Sequence, residues 1–133
     1  MTLKEKYDSP EDGYYVERLP YETKRVCLAV DLQDDPELIA KYKHYHSPAA
    51  FWKEIGEGIR KAGISVMDIY RVDTRLFMIC EVPVDTPFDE AWNAQSRYER
   101  QDEWNEFMRG CQKALPGHKL EWVKMERVFE LPK

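Results

Sequence analysis

From Lys24 to Gln33 apolar and polar positions alternate. Val26, Leu28, Val30 and Leu32 fall on one face, and Cys27, Ala29 and Asp31 on the other, the period of a half-buried strand. Asp34-Asp35-Pro36-Glu37 then reads as a helix start. An aspartate cap, a proline in the first turn and an early glutamate all suit the free N–H groups and the positive end of a helix dipole. This helix is predicted to run to about His46, with Leu38 and Tyr42 on one face. Ser47-Pro48-Ala49-Ala50 breaks the pattern, and Trp52, Ile55, Ile59 and Ala62 resume it at helical spacing until Gly63. Ser65 to Val72 predicts a second strand. Asp73-Thr74 predicts a turn, and Arg75 to Val84 a third strand with a dense apolar run. A short helix is expected over Asp89 to about Gln95. A longer one is expected over Arg97 to Leu115, with Trp104, Phe107, Met108, Cys111 and Leu115 inward. Pro116-Gly117 ends it. Leu120 to Leu131 predicts a fourth strand, with Val123, Met125, Phe129 and Leu131 on alternate positions.

The order is β-α(α)-β-β-α-β, the signature of an α+β, ferredoxin-like split βαβ unit. Helices on one face of a four-stranded antiparallel sheet leave the other face to be covered. Pairing two such sheets into a dimeric α/β barrel covers it, so a homodimer is expected. Residues 1–23 read differently: polar and turn-prone from Lys6 to Gly13, then rich in tyrosine. They are expected to form an N-terminal extension, with residues 24–133 as the domain.

Composition narrows the function classes. The 133 residues are 43% hydrophobic and 34% charged, with a formal net charge of -5. Interspersed charges and an acidic balance disfavour nucleic acid as a partner. No apolar run is long enough for a membrane span. The first residues lack the apolar core of a secretory signal, and a cytoplasmic location is expected. Cys27, Cys80 and Cys111 are odd in number and widely spaced, which argues against a disulfide framework or a zinc site. They read as small buried hydrophobes in a reducing compartment.

Candidate chemistry is sparse. Tyr42 and His46 lie four residues apart, so a phenol and an imidazole share one helix face. Histidine is the commonest general acid/base near neutrality. Taken alone, such a pair is more often packing or surface. His44 and His46 point to different sides of a helix, His118 is distant, and no Cys/His cluster has ligand spacing; no metal is expected. Trp104 offers either an apolar platform for a sugar face or a core residue. Phosphate loops, dinucleotide fingerprints and nucleophile elbows are missing, and no cofactor is expected.

Several segments, taken in serial order, resemble the L-rhamnose mutarotase family and its relatives, the type 2 L-fucose mutarotases. They include Arg25 to Leu32, Asp34 to Ile39, Tyr42 to His46, Trp52 to Ile55 and Gly63-Ile64. Met67 to Tyr70, Arg75 to Glu81, Glu103-Trp104 with Met108, Ala114 to Pro116 and Trp122 to Phe129 continue the series. The resemblance covers about residues 24 to 132. It implies a dimeric ferredoxin-like fold and an activity that equilibrates sugar anomers. It also implies that Tyr42 and His46 line the sugar site, with His46 as proton donor, and that Trp104 belongs to the same site. Met67 stands where the rhamnose branch has a second pocket tyrosine. Asn105 stands where that branch tends to have a second tryptophan.

The expected function is therefore a mutarotase for a free monosaccharide, a deoxyhexose of the L-rhamnose or L-fucose type. Ring opening needs a proton delivered to the ring oxygen and one removed from the anomeric hydroxyl. His46 is the expected catalytic residue. Tyr42, Trp104, Met67 and Glu103 are the expected substrate-binding residues, Glu103 also serving as a second proton acceptor. The rival readings are a cofactor-free monooxygenase-like barrel and a small-molecule-binding module without chemistry.

Overall fold

The computed structural model describes all 133 residues. A four-residue helix α1 (Leu3–Lys6) precedes the long strand β1 (Thr23–Leu32). Helices α2 (Pro36–Tyr45) and α3 (Lys53–Ala62) follow, then strands β2 (Val66–Val72) and β3 (Arg75–Pro83). Helix α4 (Phe88–Ala94) runs into a 3₁₀ turn at Gln95–Arg97. Helix α5 (Gln101–Arg109) and two short strands, β4 (Gln112–Lys113) and β5 (Val123–Lys124), complete the chain. The local signals act as chemistry requires. The Asp35 carboxylate accepts from the amides of Glu37 and Leu38, and Pro36 opens α2. Gly63 ends α3 at φ 111°, a left-handed conformation that a Cβ disfavours.

The sheet is antiparallel in the order β2-β3-β1, with β4 and β5 both on the remaining edge of β1. This is the expected α+β, ferredoxin-like arrangement, with β4 and β5 sharing the place of one fourth strand. Register fixes the faces. Leu28, Val30 and Leu32 of β1 share a face with Leu76, Met78, Cys80 and Val82 of β3 and with Met67 and Ile69 of β2. The buried core is drawn from this face and the helices. One cluster joins Val30, Leu32 and Leu76 to Tyr42, Ile55, Trp104, Met108 and Cys111. The other joins Leu28, Met78, Cys80 and Val82 to Ile64, Phe88 and Ala91. The opposite face carries Cys27, Ala29, Phe77 and Ile79 between two ion pairs, Arg25–Glu81 and Arg75–Asp31. All three cysteines are free. Burial pushes the Cys80 thiol up to about 12, as suits a packing residue.

Two elements differ from the pattern-based expectation. The long helix begins four residues later and ends six residues earlier than Arg97 to Leu115. Arg100 adopts φ 63°, which breaks the chain from the preceding turn. Beyond Gly110 the backbone turns back to β1, where the Gln33 amide donates to the Cys111 carbonyl and Gln112–Lys113 pair with Asp31–Leu32. The open edge of β1 outweighs the helical stripe that Cys111 continues. The fourth strand, expected from Leu120 to Leu131, pairs only over Val123–Lys124, with the Met125 amide donating to Cys27. From Glu126 onward the chain is exposed, including Val128 (88%), Phe129 (70%) and Leu131 (76%).

Candidate active site

Helix α2 ends at the site. Tyr42 is buried in its last turn, and His46 caps it. One turn of helix separates them, which brings the two rings into a stack with centroids 4.2 Å apart. The Nδ1 of His46 lies 2.7 Å from the Tyr42 carbonyl oxygen. A carbonyl only accepts, so Nδ1 donates there and Nε2 keeps the lone pair. Burial lowers the pKa of the imidazole, and the bond to the Tyr42 carbonyl offsets only part of that. His46 is therefore neutral near pH 7, with the Nε2 lone pair free. Burial acts on Tyr42 in the opposite sense and raises the pKa of its phenol, with the Gln112 side chain offsetting a part. Tyr42 thus keeps its hydroxyl hydrogen and serves as a hydrogen-bond donor.

Trp104 on α5 meets the edge of His46 at 5.2 Å and is itself held edge-on by Phe51 and Trp52. The indole is nearly buried and belongs to the core cluster, and it also lines a cavity. The cavity has a volume of about 1340 Å³ and lies between the core-side face of β2 and helices α2, α3 and α5. Tyr42, His46, Met67 and Trp104 all border it. Four of the five expected site residues are therefore brought together.

Glu103 is the exception. It is not among the cavity residues; its side chain is 57% exposed and its carboxylate is engaged by Arg100 at 2.9 and 3.1 Å. Arg100 holds that carboxyl below its ordinary pKa, so Glu103 is a poor proton acceptor. Helix geometry accounts for this: the cavity face of α5 runs through Gln101, Trp104, Asn105 and Met108, and Glu103 falls outside it. Arg100 also bonds Glu54 of α3 at 2.6 Å and lies over the Trp52 ring, pinning α3 to α5 behind the site.

Other cavity residues carried no mark in the sequence reading. Gln101 and Asn105 border the cavity from the same face of α5 as Trp104, and Gln112 borders it beside Tyr42. The spacing 101, 104, 105, 108 marks that face, and polar residues on an otherwise inward stripe are the signal that finds them. Tyr14 and Tyr15 of the N-terminal extension border the far rim with Tyr70 and Asp68 of β2. Tyr14 packs edge-on against Tyr70 at 5.7 Å, and the Tyr21 hydroxyl donates to Ser65.

Residues 25–131 match the family described as L-rhamnose mutarotase. The chain belongs to the L-rhamnose mutarotase family. An L-fucose mutarotase from Xanthomonas campestris pv. campestris is 36% identical over 112 residues, which cover 81% of this chain and 88% of the relative. A "UPF0734 protein" from Dictyostelium discoideum is 35% identical over 116 residues, 81% of this chain and 90% of the relative. The crystal structure of an L-rhamnose mutarotase from Formosa agariphila superposes with a TM-score of 0.56 at 19% identity, covering 82% of this chain and 99% of that one. That likeness bears on the fold, a curled antiparallel sheet with helices on one face. No helix of this family member is long and apolar enough to cross a membrane.

Proposed function

We propose that this family member catalyses the interconversion of the α and β anomers of a free deoxyhexose of the L-rhamnose or L-fucose type. The observation that carries the reading is the contact of a neutral, half-buried histidine with Tyr42 and Trp104 on the wall of one cavity. Nε2 of His46 accepts the proton of the anomeric hydroxyl as the bond from the anomeric carbon to the ring oxygen breaks. The electron pair of that bond moves to the ring oxygen, which is protonated to a hydroxyl. The same imidazole, now protonated, is the donor of that proton. Rotation about the bond to the free aldehyde and reversal of these steps close the ring on the other face. A positioned acid/base contributes about 10²–10⁴-fold to such transfers. Tyr42 donates a hydrogen bond without surrendering its proton. The Trp104 face covers the apolar deoxy side of the ring, and Met67 lines the opposite wall with a flexible thioether.

The chain acts as a homodimer in this reading. The half-buried Cys27, Phe77 and Ile79 of the sheet face opposite the core, together with the exposed apolar C-terminal residues, offer apolar surface for a second copy to cover. Three unpaired cysteines suit a reducing compartment, and the reading places the protein in the cytoplasm.

Saturation transfer between anomeric proton signals tests the activity directly. The panel is L-rhamnose, L-fucose, L-galactose and D-ribose. Exchange above the uncatalysed rate is expected for at least one 6-deoxy sugar. Oxygen consumption with an aromatic substrate, or saturable sugar binding without faster exchange, overturns the reading.

A further inference from the structure

Gln101 is the first residue of α5, and its side chain is only 5% exposed. Its Nε2 donates to Asn105 Oδ1 at 2.9 Å, one helical turn on. Its Oε1 is buried and has no hydrogen-bond partner in the protein, the one side-chain oxygen or nitrogen of which this is true. Such an orphaned acceptor carries an uncompensated desolvation cost, and proteins seldom keep one without a use for it. The alternative assignment of the two amides does not remove the problem. If both are turned over, Asn105 donates to Gln101 Oε1 and the buried Gln101 Nε2 becomes the orphan. Either way Gln101, which borders the cavity that holds His46, keeps one polar atom unpaired.

A sugar hydroxyl both donates and accepts, and satisfies whichever atom is presented. Gln101 lies three residues before Trp104 on the cavity face of α5, so the residue that covers the sugar ring and the residue that reads its edge are neighbours. We propose that Gln101, oriented by Asn105, is a specificity-determining residue that pairs with one ring hydroxyl of the sugar. This rests on the mutarotase reading for the substrate class, but binding alone can judge it. The partner that orients Gln101 is Asn105, at the position where the resemblance to the rhamnose branch implies a tryptophan.

The design has a signature that a structural glutamine lacks. Gln101→Leu keeps the bulk and removes the orphan. Asn105 is exposed, so water satisfies the amide that Gln101 releases. The variant is expected to melt no lower than the parent, yet to bind sugar about ten-fold more weakly, the loss expected when a buried partner is missing. The experiment titrates L-rhamnose and L-fucose, with their 2-, 3- and 4-deoxy forms, into both proteins, and measures anomer exchange alongside. In the parent protein one of the three deoxy forms should bind about ten-fold more weakly than its parent sugar. In Gln101→Leu that single discrimination should vanish, KM should rise, and kcat should stay within about two-fold. Gln101→Met gives the same readout should the leucine fail to fold. Unchanged binding with a lowered melting temperature in the variants makes Gln101 a structural residue and overturns the inference. Sugar binding without exchange in the parent overturns the mutarotase reading and leaves Gln101 to be judged by the titrations. Binding of no sugar at all overturns both.

Discussion

At the scale of single residues, His46 and Tyr42 have environments that push their acid–base behaviour apart. Burial keeps the imidazole neutral and the phenol protonated, so one accepts a proton and the other donates a hydrogen bond. His46→Ala is expected to slow anomer exchange by about 10²-fold or more. Tyr42→Phe keeps the stacked ring and removes one hydrogen bond of about 0.5–1.5 kcal/mol, so it should cost at most about ten-fold. His44 is exposed and turned toward Tyr45, and His44→Ala should exchange at the parent rate. Exchange read by NMR at matched enzyme concentration, with circular dichroism as the check on folding, decides all three. The same burial sets a pH dependence. Because the folded pKa of His46 is depressed, the unfolded chain binds more protons in the window below the ordinary imidazole value of about 6.5. Its contribution to stability is whole above that value and is lost as pH falls toward the depressed one. Exchange activity should hold from pH 7 to below 6.5 and then fall, since a protonated Nε2 accepts nothing. Denaturant midpoints measured from pH 7.5 to 5 should decline, and that part of the decline should disappear in His46→Ala.

At the scale of elements, α3 packs closely against the 3₁₀ turn that leads into α5. Gly58, in the middle of α3, is buried against the 3₁₀ turn that follows α4, and a Cβ there would come within 2.8 Å of the Tyr98 Cβ. That neighbour is the stem of a side chain whose hydroxyl donates to the Lys61 carbonyl, so it gives little way. Overpacking typically costs about 1–3 kcal/mol, against about 0.5–1 kcal/mol gained by placing alanine in a helix interior. Gly58→Ala is therefore expected to lower the melting temperature by a few degrees, where a free helix surface would show a rise. This contact was not legible in the sequence, because it joins residues 40 apart through a missing side chain. Elements defined by local chemistry were legible: β1 by its alternation, α2 by its cap, α3 by its terminal glycine, and the β2–β3 hairpin by its turn. The overrun of α5 and the shortened last strand were not, because both are decided by the edge of β1 rather than by their own residues. The site divides in the same way. Tyr42 and His46 could be paired by spacing, whereas Gln101 acquires its meaning only from an atom left without a partner.

At the scale of the whole molecule, the N-terminal extension and the C-terminal segment have different consequences. Tyr14 and Tyr15 border the rim of the cavity but belong to neither core cluster. Removal of residues 1–20 should leave a cooperatively unfolding protein whose kcat is near that of the full chain and whose KM is raised several-fold. Loss of cooperative unfolding would make the extension part of the fold. Beyond Met125 the chain holds Val128, Phe129 and Leu131 in solvent. Dimerisation that covers this row should appear as twice the chain mass by light scattering at micromolar concentration, and a monomer there would count against it. An exposed apolar row of this kind favours association with other apolar surfaces, so replacing Val128, Phe129 and Leu131 together by serine should lower any tendency of the protein to self-associate.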